Sequence, residues 1–251
     1  MANFNIYFSP TGGTKMVADI LTGALGGVFQ EIDLSRVPAP MTLTADDLCV
    51  VSVPSYGGRV PAVALERLGL IRGNGAKAIL VCVYGNREWD DTLTELQDVL
   101  EGYGYVCPAA VAAVAEHSMF RQFAAGRPDA EDAAELKAFA GKIQEKLSSG
   151  NFAAPEMPGS HGPYKPFPGG AFKPEGSEDC DGCGLCAQQC PVGAIDPENL
   201  RAVNKEVCIS CMRCISLCPK GARVLDPNVV SAVAQRLEPV LGGHKLNYLY
   251  L

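Results

Sequence analysis

Apolar runs alternate with amphipathic stretches along the first 150 residues of this 251-residue chain. Short runs rich in β-branched residues predict five strands, at residues 5–8, 29–33, 48–53, 77–83 and 105–114. Apolar positions at helical spacing predict helices near residues 14–25, 62–68, 91–102 and 130–148. Strands that alternate with helices are typical of a parallel sheet covered on both faces. We therefore expect a doubly wound α/β fold in this region.

The pattern stops at residue 151. Residues 151–176 contain six prolines and five glycines and show neither a helical nor a strand period. Four aromatic residues punctuate this connector, Phe152, Tyr164, Phe167 and Phe172. A solvated tether needs no such residues, so we expect a strap docked on its neighbours, with a loose linker as the alternative. The predicted domains are residues 1–150, the connector 151–176, a cysteine-rich region 177–226, and a C-terminal helix and tail 227–251.

Charge and hydropathy limit the partners. The net charge is −7 and the isoelectric point is about 5.0, which argues against binding to nucleic acid or to an anionic membrane surface. No apolar stretch is long enough to span a bilayer. The first residues, MANFNIYF, lack the basic and long apolar parts of a secretory signal. We expect a cytoplasmic protein without membrane insertion.

Eight of the eleven cysteines form two copies of the pattern CxxCxxCxxxCP. This spacing resembles that of bacterial two-cluster ferredoxins, and the copies extend into CPVGAI and CPKGAR, which indicates an internal duplication. The resemblance covers residues 177–226 and implies a small α+β domain with two [4Fe–4S] clusters. In such proteins the fourth cysteine of each copy binds the other cluster, which assigns Cys180, Cys183, Cys186 and Cys218 to one cluster and Cys208, Cys211, Cys214 and Cys190 to the other.

Two other uses of these cysteines fit the spacing and the expected location less well. Zinc sites typically separate two CxxC pairs by a dozen or more residues, whereas here three cysteines follow one another at two-residue gaps. A disulfide framework requires an oxidising compartment, which the expected location does not provide. The remaining cysteines, Cys49, Cys82 and Cys107, lie in or beside predicted strands, so we expect them to be core thiols.

The loop after the first predicted strand is suited to binding a phosphate group. It reads SPTGGT and leads directly into a helix, so hydroxyl groups, glycines and helix-end N–H groups converge there. It matches neither GxxxxGK[ST] nor GxGxxG. It resembles the FMN-phosphate loop of flavodoxins, which implies contacts from Ser9, Thr11, Gly12, Gly13 and Thr14. The alternative is a turn that merely caps the helix.

Two further loops follow the third and fourth predicted strands. In flavodoxins, loops at these places sandwich the isoalloxazine ring, and here both offer aromatic side chains and glycines. The resemblance predicts FMN contacts from Pro54, Ser55, Tyr56, Gly57 and Gly58 in one loop and from Tyr84, Gly85, Asn86, Arg87, Trp89 and Asp90 in the other. Alternatively, Tyr56, Tyr84 and Trp89 pack beside the sheet. Arg59 and Arg87 are candidates to offset an anionic flavin, with solvated arginines as the alternative.

Together the motifs resemble a family of flavodoxin and ferredoxin fusions of anaerobic bacteria over essentially the whole chain. The resemblance implies a flavodoxin-like five-stranded parallel sheet, FMN, two [4Fe–4S] clusters and electron transfer with a redox partner protein. Because no nicotinamide fingerprint is present, the partner is expected to be a protein. The alternatives are an FMN-dependent reductase that acts on a small molecule and, less favoured, a redox sensor.

Two hypotheses concern individual side chains. His117 follows the fifth predicted strand and is a candidate proton donor at the flavin, or it merely bonds its neighbours. Four basic residues flank the second cysteine motif, while residues 1–150 carry a net charge of −6 from 18 acidic and 12 basic side chains. We therefore expect the second motif to face the N-terminal region through Lys205, Arg213, Lys220 and Arg223.

Overall fold

The computed structural model describes residues 2–167 and 169–251, and Pro168 of the connector lies outside them. The strands are β1 (Asn3–Tyr7), β2 (Phe29–Asp33), β3 (Met41–Thr42), β4 (Leu48–Pro54), β5 (Ile71–Arg72), β6 (Lys77–Tyr84), β7 (Val106–Val114), β8 (Glu175–Gly176), β9 (Arg223–Val224) and β10 (Tyr248–Tyr250). The helices are α1 (Gly13–Leu25), α2 (Ala62–Leu68), α3 (Thr92–Gly102), α4 (Ala130–Ser148), α5 (Leu185–Gln188), α6 (Arg213–Leu217) and α7 (Pro227–Leu241).

The main sheet has six strands in the order β10-β7-β6-β4-β1-β2. The five strands from β2 to β7 pair in parallel, and their order is that of flavodoxin-like folds. The fold prediction is therefore confirmed. The sixth strand was not predicted: β10 pairs antiparallel with the edge strand β7, with Tyr248 opposite Ala112.

Two apolar layers cover the sheet, because successive side chains of a strand point to opposite faces. Val50 and Val81 pack with Leu21 of α1 and Leu136 of α4 on one face. On the other face, the neighbouring side chains of the same strands pack with α2 and α3; they include Val51, Leu80, Leu68 and Leu96. Predicted and observed ends of these strands and helices differ by at most two residues. The short parallel pair β3–β5 was not predicted.

The connector is docked on the N-terminal region, as the strap hypothesis expects. The Tyr164 hydroxyl donates to the Asp98 carboxylate at 2.5 Å, and the Arg59 guanidinium lies 5.0 Å from the centre of the Tyr164 ring. The Ser160 N–H donates to the Asp91 carboxylate at 2.9 Å. Phe172 packs edge-on against Phe120 with ring centres 5.6 Å apart. Among the four aromatic residues, Phe152 stays substantially exposed.

The two cysteine motifs have the same local structure, which confirms the duplication. Each leads into a short helix, α5 or α6, whose N-cap residue has a left-handed backbone. The matching positions are Gly182 and Gly184 in the first copy and Ser210 and Met212 in the second, all with φ between 57° and 79°. Ser210 and Met212 hold this conformation without the freedom of glycine, and both are buried.

The C-terminal segment returns from the cysteine-rich region to the main sheet. Helix α7 begins after Asp226, whose carboxylate accepts from the Asn228 N–H at 2.9 Å. Leu237 and Leu241 of α7 pack with Phe120 and Phe123, which follow β7. The tail then forms β10. The cysteine-rich region is thus attached to the sheet from both sides, by the connector and by the tail.

Candidate functional site

A cavity of about 400 Å³ lies at the carboxyl ends of β1, β4, β6 and β7. This is where open parallel sheets bind ligands, and the volume is within the usual range for a small-molecule site. Ten of the predicted site residues line it: Thr11, Gly13, Thr14, Pro54, Ser55, Tyr56, Gly57, Tyr84, Gly85 and His117. The structure therefore gathers residues from all three predicted loops at one place.

The loop before α1 has the geometry of a phosphate cradle. Gly12 caps the helix with φ 98°, a conformation that favours glycine, and Ser9 Oγ accepts from the Lys15 N–H at 2.9 Å. A side chain at Gly13 would place its Cβ 3.2 Å from Ala115, so the loop is packed tightly against the end of β7. Ser9 and Gly12 shape the loop, while Thr11, Gly13 and Thr14 face the cavity.

The loop after β4 makes a tight turn from Tyr56 to Arg59. The N–H of each of these residues donates to the carbonyl of the other, at 2.9 and 3.2 Å, and Gly57 and Gly58 have φ 59° and 80°. A Cβ at Gly57 would lie 2.6 Å from the Phe167 ring, so this glycine accommodates the connector. Arg59 forms an ion pair with buried Glu95.

The loop after β6 divides its residues between the cavity and the C-terminal tail. Tyr84 lines the cavity, and its hydroxyl donates to the Leu246 carbonyl at 2.6 Å. Asn86 Nδ2 donates to the Gly243 carbonyl at 2.8 Å. Trp89 is buried with its ring centre 5.0 Å from that of Tyr84 and 5.3 Å from that of Tyr248. Trp89 therefore packs beside the sheet, as the alternative interpretation expected.

Five of the predicted FMN contacts are not among the described residues that line the cavity: Gly58, Asn86, Arg87, Trp89 and Asp90. Gly58 packs against Asp90, where a Cβ would lie 2.3 Å from a carboxylate oxygen. Arg87 forms an ion pair with Asp90. Since Arg59 and Arg87 are both paired with carboxylates, neither supplies a free positive charge to the cavity.

His117 is held in one protonation state. Its Nδ1 accepts hydrogen bonds from the Met119 and Phe120 N–H groups, both at 3.1 Å, so the ring proton lies on Nε2. Burial lowers the pKa of His117 to about 4. The ring is therefore neutral near pH 7 and suits a hydrogen-bond donor into the cavity better than a proton donor. The role in proton transfer stays a prediction.

Residues distant in sequence form the roof of the cavity. The connector contributes Phe167, Gly170, Ala171 and Phe172, α7 contributes Leu237, and the second cysteine motif contributes Ile209 and Ser210. The aromatic residues of the connector are the one feature of the sequence that indicates this roof. Leu237, Ile209 and Ser210 escaped prediction, because nothing local marks a contact between separate regions.

The eight motif cysteines surround two small cavities. Cys180, Cys183, Cys186 and Cys218 line the first cysteine cavity. Cys190, Cys208, Cys211 and Cys214 line the second cysteine cavity. These sets have the crossed membership that the ferredoxin resemblance implies. Within residues 2–167 and 169–251, no group of three His, Cys, Asp or Glu side chains is arranged to hold a single metal ion.

The surroundings of both cavities fit an anionic cluster. The Ala194 N–H donates to Cys190 Sγ at 3.3 Å, and the matching Ala222 N–H donates to Cys218 Sγ at 3.2 Å. Such bonds stabilise negative charge on sulfur. The buried Arg223 lines the first cysteine cavity, and its Nε and Nη2 have no hydrogen-bond partner in the part of the chain that the structure describes. Unpaired buried donors beside four thiols suit a negatively charged occupant.

The other cysteines have no such surroundings. Cys49, Cys82 and Cys107 are buried in the main sheet, which confirms them as core thiols. Burial raises the pKa of Cys49 and of Cys107 to about 12, so both are protonated near neutral pH.

Comparisons with known proteins agree with this chemistry. The family model described as a 4Fe-4S dicluster domain matches residues 179–222. These residues are a 4Fe-4S dicluster domain. The chain is also 41% identical over 59 residues to an iron–sulfur-type relative, a tetrathionate reductase subunit of Archaeoglobus fulgidus. That match covers 23% of this chain and 28% of the relative, so the chain spans less than a third of the relative's length.

Flavodoxin structures align with the rest of the chain. The flavodoxin of Streptococcus pneumonia TIGR4 is 19% identical, covers 58% of this chain and 99% of its own, and gives a TM-score of 0.42. A flavodoxin from the domain Archaea is 14% identical, covers 59% of this chain and 99% of its own, and gives a TM-score of 0.39. The strand order of the main sheet defines the fold as flavodoxin-like. No described helix is both long and apolar enough to cross a membrane.

The second half of the dicluster domain contacts the flavodoxin-like region, as the orientation hypothesis expected. Buried Arg67 of α2 donates to the carbonyl of Pro191, the residue after Cys190. Arg213 Nη1 lies 3.5 and 3.4 Å from the carbonyl oxygens of Ser9 and Pro10 in the phosphate loop. The expected reason was incomplete, because these arginines donate to carbonyls, whereas Lys205 pairs with Glu175 of the connector.

Proposed function

We propose that this protein relays electrons between an external redox partner, two [4Fe–4S] clusters and FMN. The observation that supports the relay most directly is the shared wall between two sites. Ile209 and Ser210 lie between the ligand candidates Cys208 and Cys211, and they also line the cavity at the ends of the parallel strands. Sites held side by side in one chain exchange electrons without a diffusive encounter.

The residues that would hold each group follow from the three cavities. Each cysteine cavity supplies four thiolates, and Thr11, Gly13 and Thr14 with the N-terminus of α1 would bind the FMN phosphate. Tyr56 and Tyr84 offer aromatic faces for the flavin ring. When bound, the clusters supply one-electron transfer, and FMN supplies a centre that accepts one or two electrons.

Several side chains fix the distance between the two sites. Arg67 and Arg213 connect α2 and the phosphate loop to the dicluster domain. Ser210 Oγ donates to the Gly170 carbonyl at 2.8 Å, and Lys173 donates to the Cys208 carbonyl. These contacts surround the second cysteine motif, so the connector acts as a clamp on it. A fixed separation keeps the electron-transfer rate independent of domain motion.

The external partner is proposed to meet the first cysteine cavity. Cys183 of this cavity is exposed, whereas Cys211 of the second cavity is buried beside the flavodoxin-like region. The exposed carboxylates of Glu178, Asp179 and Asp181 surround the first motif. Electrons would therefore enter or leave at the first site and reach the flavin through the second.

Direct reduction of a small molecule is less well supported. The connector, α7 and the second cysteine motif all cover the cavity, which leaves a substrate little access once the flavin is bound. His117 is also neutral near pH 7, since burial lowers its pKa, so it is a poor acid for a proton-coupled reduction. A reductase that handles free substrates usually keeps one flavin face open.

Cysteine variants test the relay. In anaerobically purified protein, Cys211→Ser removes a ligand of the second site and Cys183→Ser removes one of the first. A one-electron protein donor should reduce the flavin at least about tenfold more slowly in both variants, because the path runs through both sites. Stopped-flow absorbance at the flavin band measures the rate, and iron and flavin contents are determined for each sample.

Cys107→Ser is the matched control, because Cys107 is a buried core thiol away from both cysteine cavities. Its flavin should be reduced at the wild-type rate. Equal rates in all three variants and wild type would show that electrons reach the flavin directly, and the relay would be rejected. Rapid steady-state turnover of quinones or nitroaromatics by the Cys211→Ser protein would instead support the small-molecule reductase.

A further inference from the structure

The two halves of the dicluster domain differ at one buried position. After the fourth cysteine, the first copy reads CPVGAI and the second reads CPKGAR. Arg223 therefore occupies the place that Ile195 has in the first copy. Both side chains are buried, with 2% exposure for Arg223 and 3% for Ile195. The duplication thus places a cation where its partner copy has a hydrocarbon.

The surroundings of Arg223 hold its side chain without neutralising it. Nη1 donates to the carbonyls of Leu200 and Arg201 at 3.1 and 3.0 Å. The backbone on either side is fixed by β9, in which Arg223 pairs with Gly176. Among the ion pairs of the described residues, none involves Arg223, although nine others occur. The guanidinium charge is buried and uncompensated by any carboxylate.

Two donors of Arg223 remain for a ligand. Nε and Nη2 are buried and have no hydrogen-bond partner in the described part of the chain, and the side chain lines the first cysteine cavity. Its charge also reaches both motifs. Burial raises the pKa of the Cys186 and Cys214 thiols, and Arg223 acts against burial at each of them. Cys186 belongs to the first cavity and Cys214 to the second, so Arg223 lies within electrostatic range of both.

A lone buried cation is costly, and the cost is offset when an anion lies beside it. A cluster held by four thiolates is such an anion, and it gains one further negative charge on one-electron reduction. No bond is made or broken in that step, and the electron comes from the redox partner. A fixed positive charge nearby stabilises the reduced form more than the oxidised form.

On the basis of the proposed function, we propose that Arg223 is a positioning residue for electron transfer, and that its buried charge and unpaired N–H groups raise the reduction potentials of both clusters. The effect is larger for the cluster in the first cysteine cavity, which Arg223 lines. Net charge and hydrogen bonds to sulfur are the main means by which a protein sets such potentials. Arg223 thereby keeps the site that meets the partner reducible.

Redox titration followed by EPR tests this on the intact protein. Arg223→Ile copies the residue of the first half, and it should lower the equilibrium constant for one-electron reduction at least about tenfold, which is about 59 mV for a one-electron couple. Arg223→Lys retains the charge and should stay close to wild type. Lys220→Gln is the matched control, since it removes an exposed charge of the same CPKGAR segment that solvent screens.

Each outcome has a definite meaning. If Arg223→Ile binds less iron, Arg223→Gln replaces it, and a lower potential in the Gln variant but not in the Lys variant supports the proposal. Potentials equal to wild type in Arg223→Ile or Arg223→Gln would overturn it, as would a shift equally large in Lys220→Gln. Iron loss in all three Arg223 variants would also overturn it, by making Arg223 a folding residue. The potentials are measured without flavin reduction, so failure of the relay would appear separately.

Discussion

Single residues in the flavin cavity have roles that depend on their surroundings. Tyr84 and Trp89 come from the same loop, yet Tyr84 faces the cavity and Trp89 packs between Tyr84 and Tyr248. His117 illustrates the same point, because two backbone N–H groups occupy its Nδ1. A residue type at the end of a strand therefore marks a candidate, and its hydrogen bonds decide what it can do.

The phosphate loop allows a residue-scale prediction about the identity of the flavin. Thr14 is buried at the start of α1, and Thr11 and Thr14 both line the cavity. Replacing both with alanine should weaken FMN at least about tenfold, because hydrogen bonds to a charged group are worth about 1.5–3 kcal/mol. Riboflavin, which lacks the phosphate, should lose much less affinity. Titrating flavin-depleted protein and following flavin fluorescence measures both constants.

Thr42→Ala is the control for that pair, since Thr42 is exposed on β3 and does not line the cavity. It should leave both affinities unchanged. An equal loss of FMN and riboflavin in the double variant would place the phosphate elsewhere.

Most elements could be predicted from the sequence, because their signals are local. The spacing of the cysteines identified the two motifs, and runs such as 77–83 indicated strands by apolar content alone. Strand β10 escaped prediction because Tyr248–Tyr250 is only three residues long and has no alternating pattern around it. Its pairing with β7 depends on side-chain contacts made by residues that are more than 100 positions apart.

Asn247 is the main contact between the tail and the sheet. Its Oδ1 accepts from the buried Val114 N–H at 2.9 Å. Its Nδ2 donates to Asp132 at 2.8 Å and to Glu135 at 2.7 Å. Arg127, which pairs with Asp132, also donates to the Lys245 carbonyl at 2.6 Å. The network connects β7, α4 and the tail, so it stabilises the strand that holds α7 over the cavity.

Replacing Asn247 with alanine tests the role of this strand. The buried N–H of Val114 would lose its acceptor, which costs about 1–3 kcal/mol of unfolding free energy. We expect urea to unfold the variant at lower concentration and the amides of β10 to exchange faster. Asn199→Ala, on an exposed turn of the dicluster domain, is the control and should have little effect. Unchanged stability and exchange in Asn247→Ala would show that the tail does not depend on this contact.

At the scale of the whole molecule, two segments bring the cysteine motifs to the end of the sheet. The connector passes over the cavity before the dicluster domain, and α7 with β10 returns to the sheet after it. The sequence predicted that the second motif faces the flavodoxin-like region, and the structure agrees. It could not predict that hydrogen bonds from Arg67 and Arg213 to carbonyl oxygens make the contact, because backbone acceptors leave no mark in a sequence.

The central claim is that electrons pass between the second cluster and the flavin within one molecule. The most direct test is the observed rate of flavin reduction after a rapid one-electron pulse to the clusters, measured over about a tenfold range of protein concentration. Transfer inside the chain predicts a first-order rate constant that does not change with protein concentration. A rate constant that rises in proportion to protein concentration would mean that electrons pass between molecules, and it would contradict the relay.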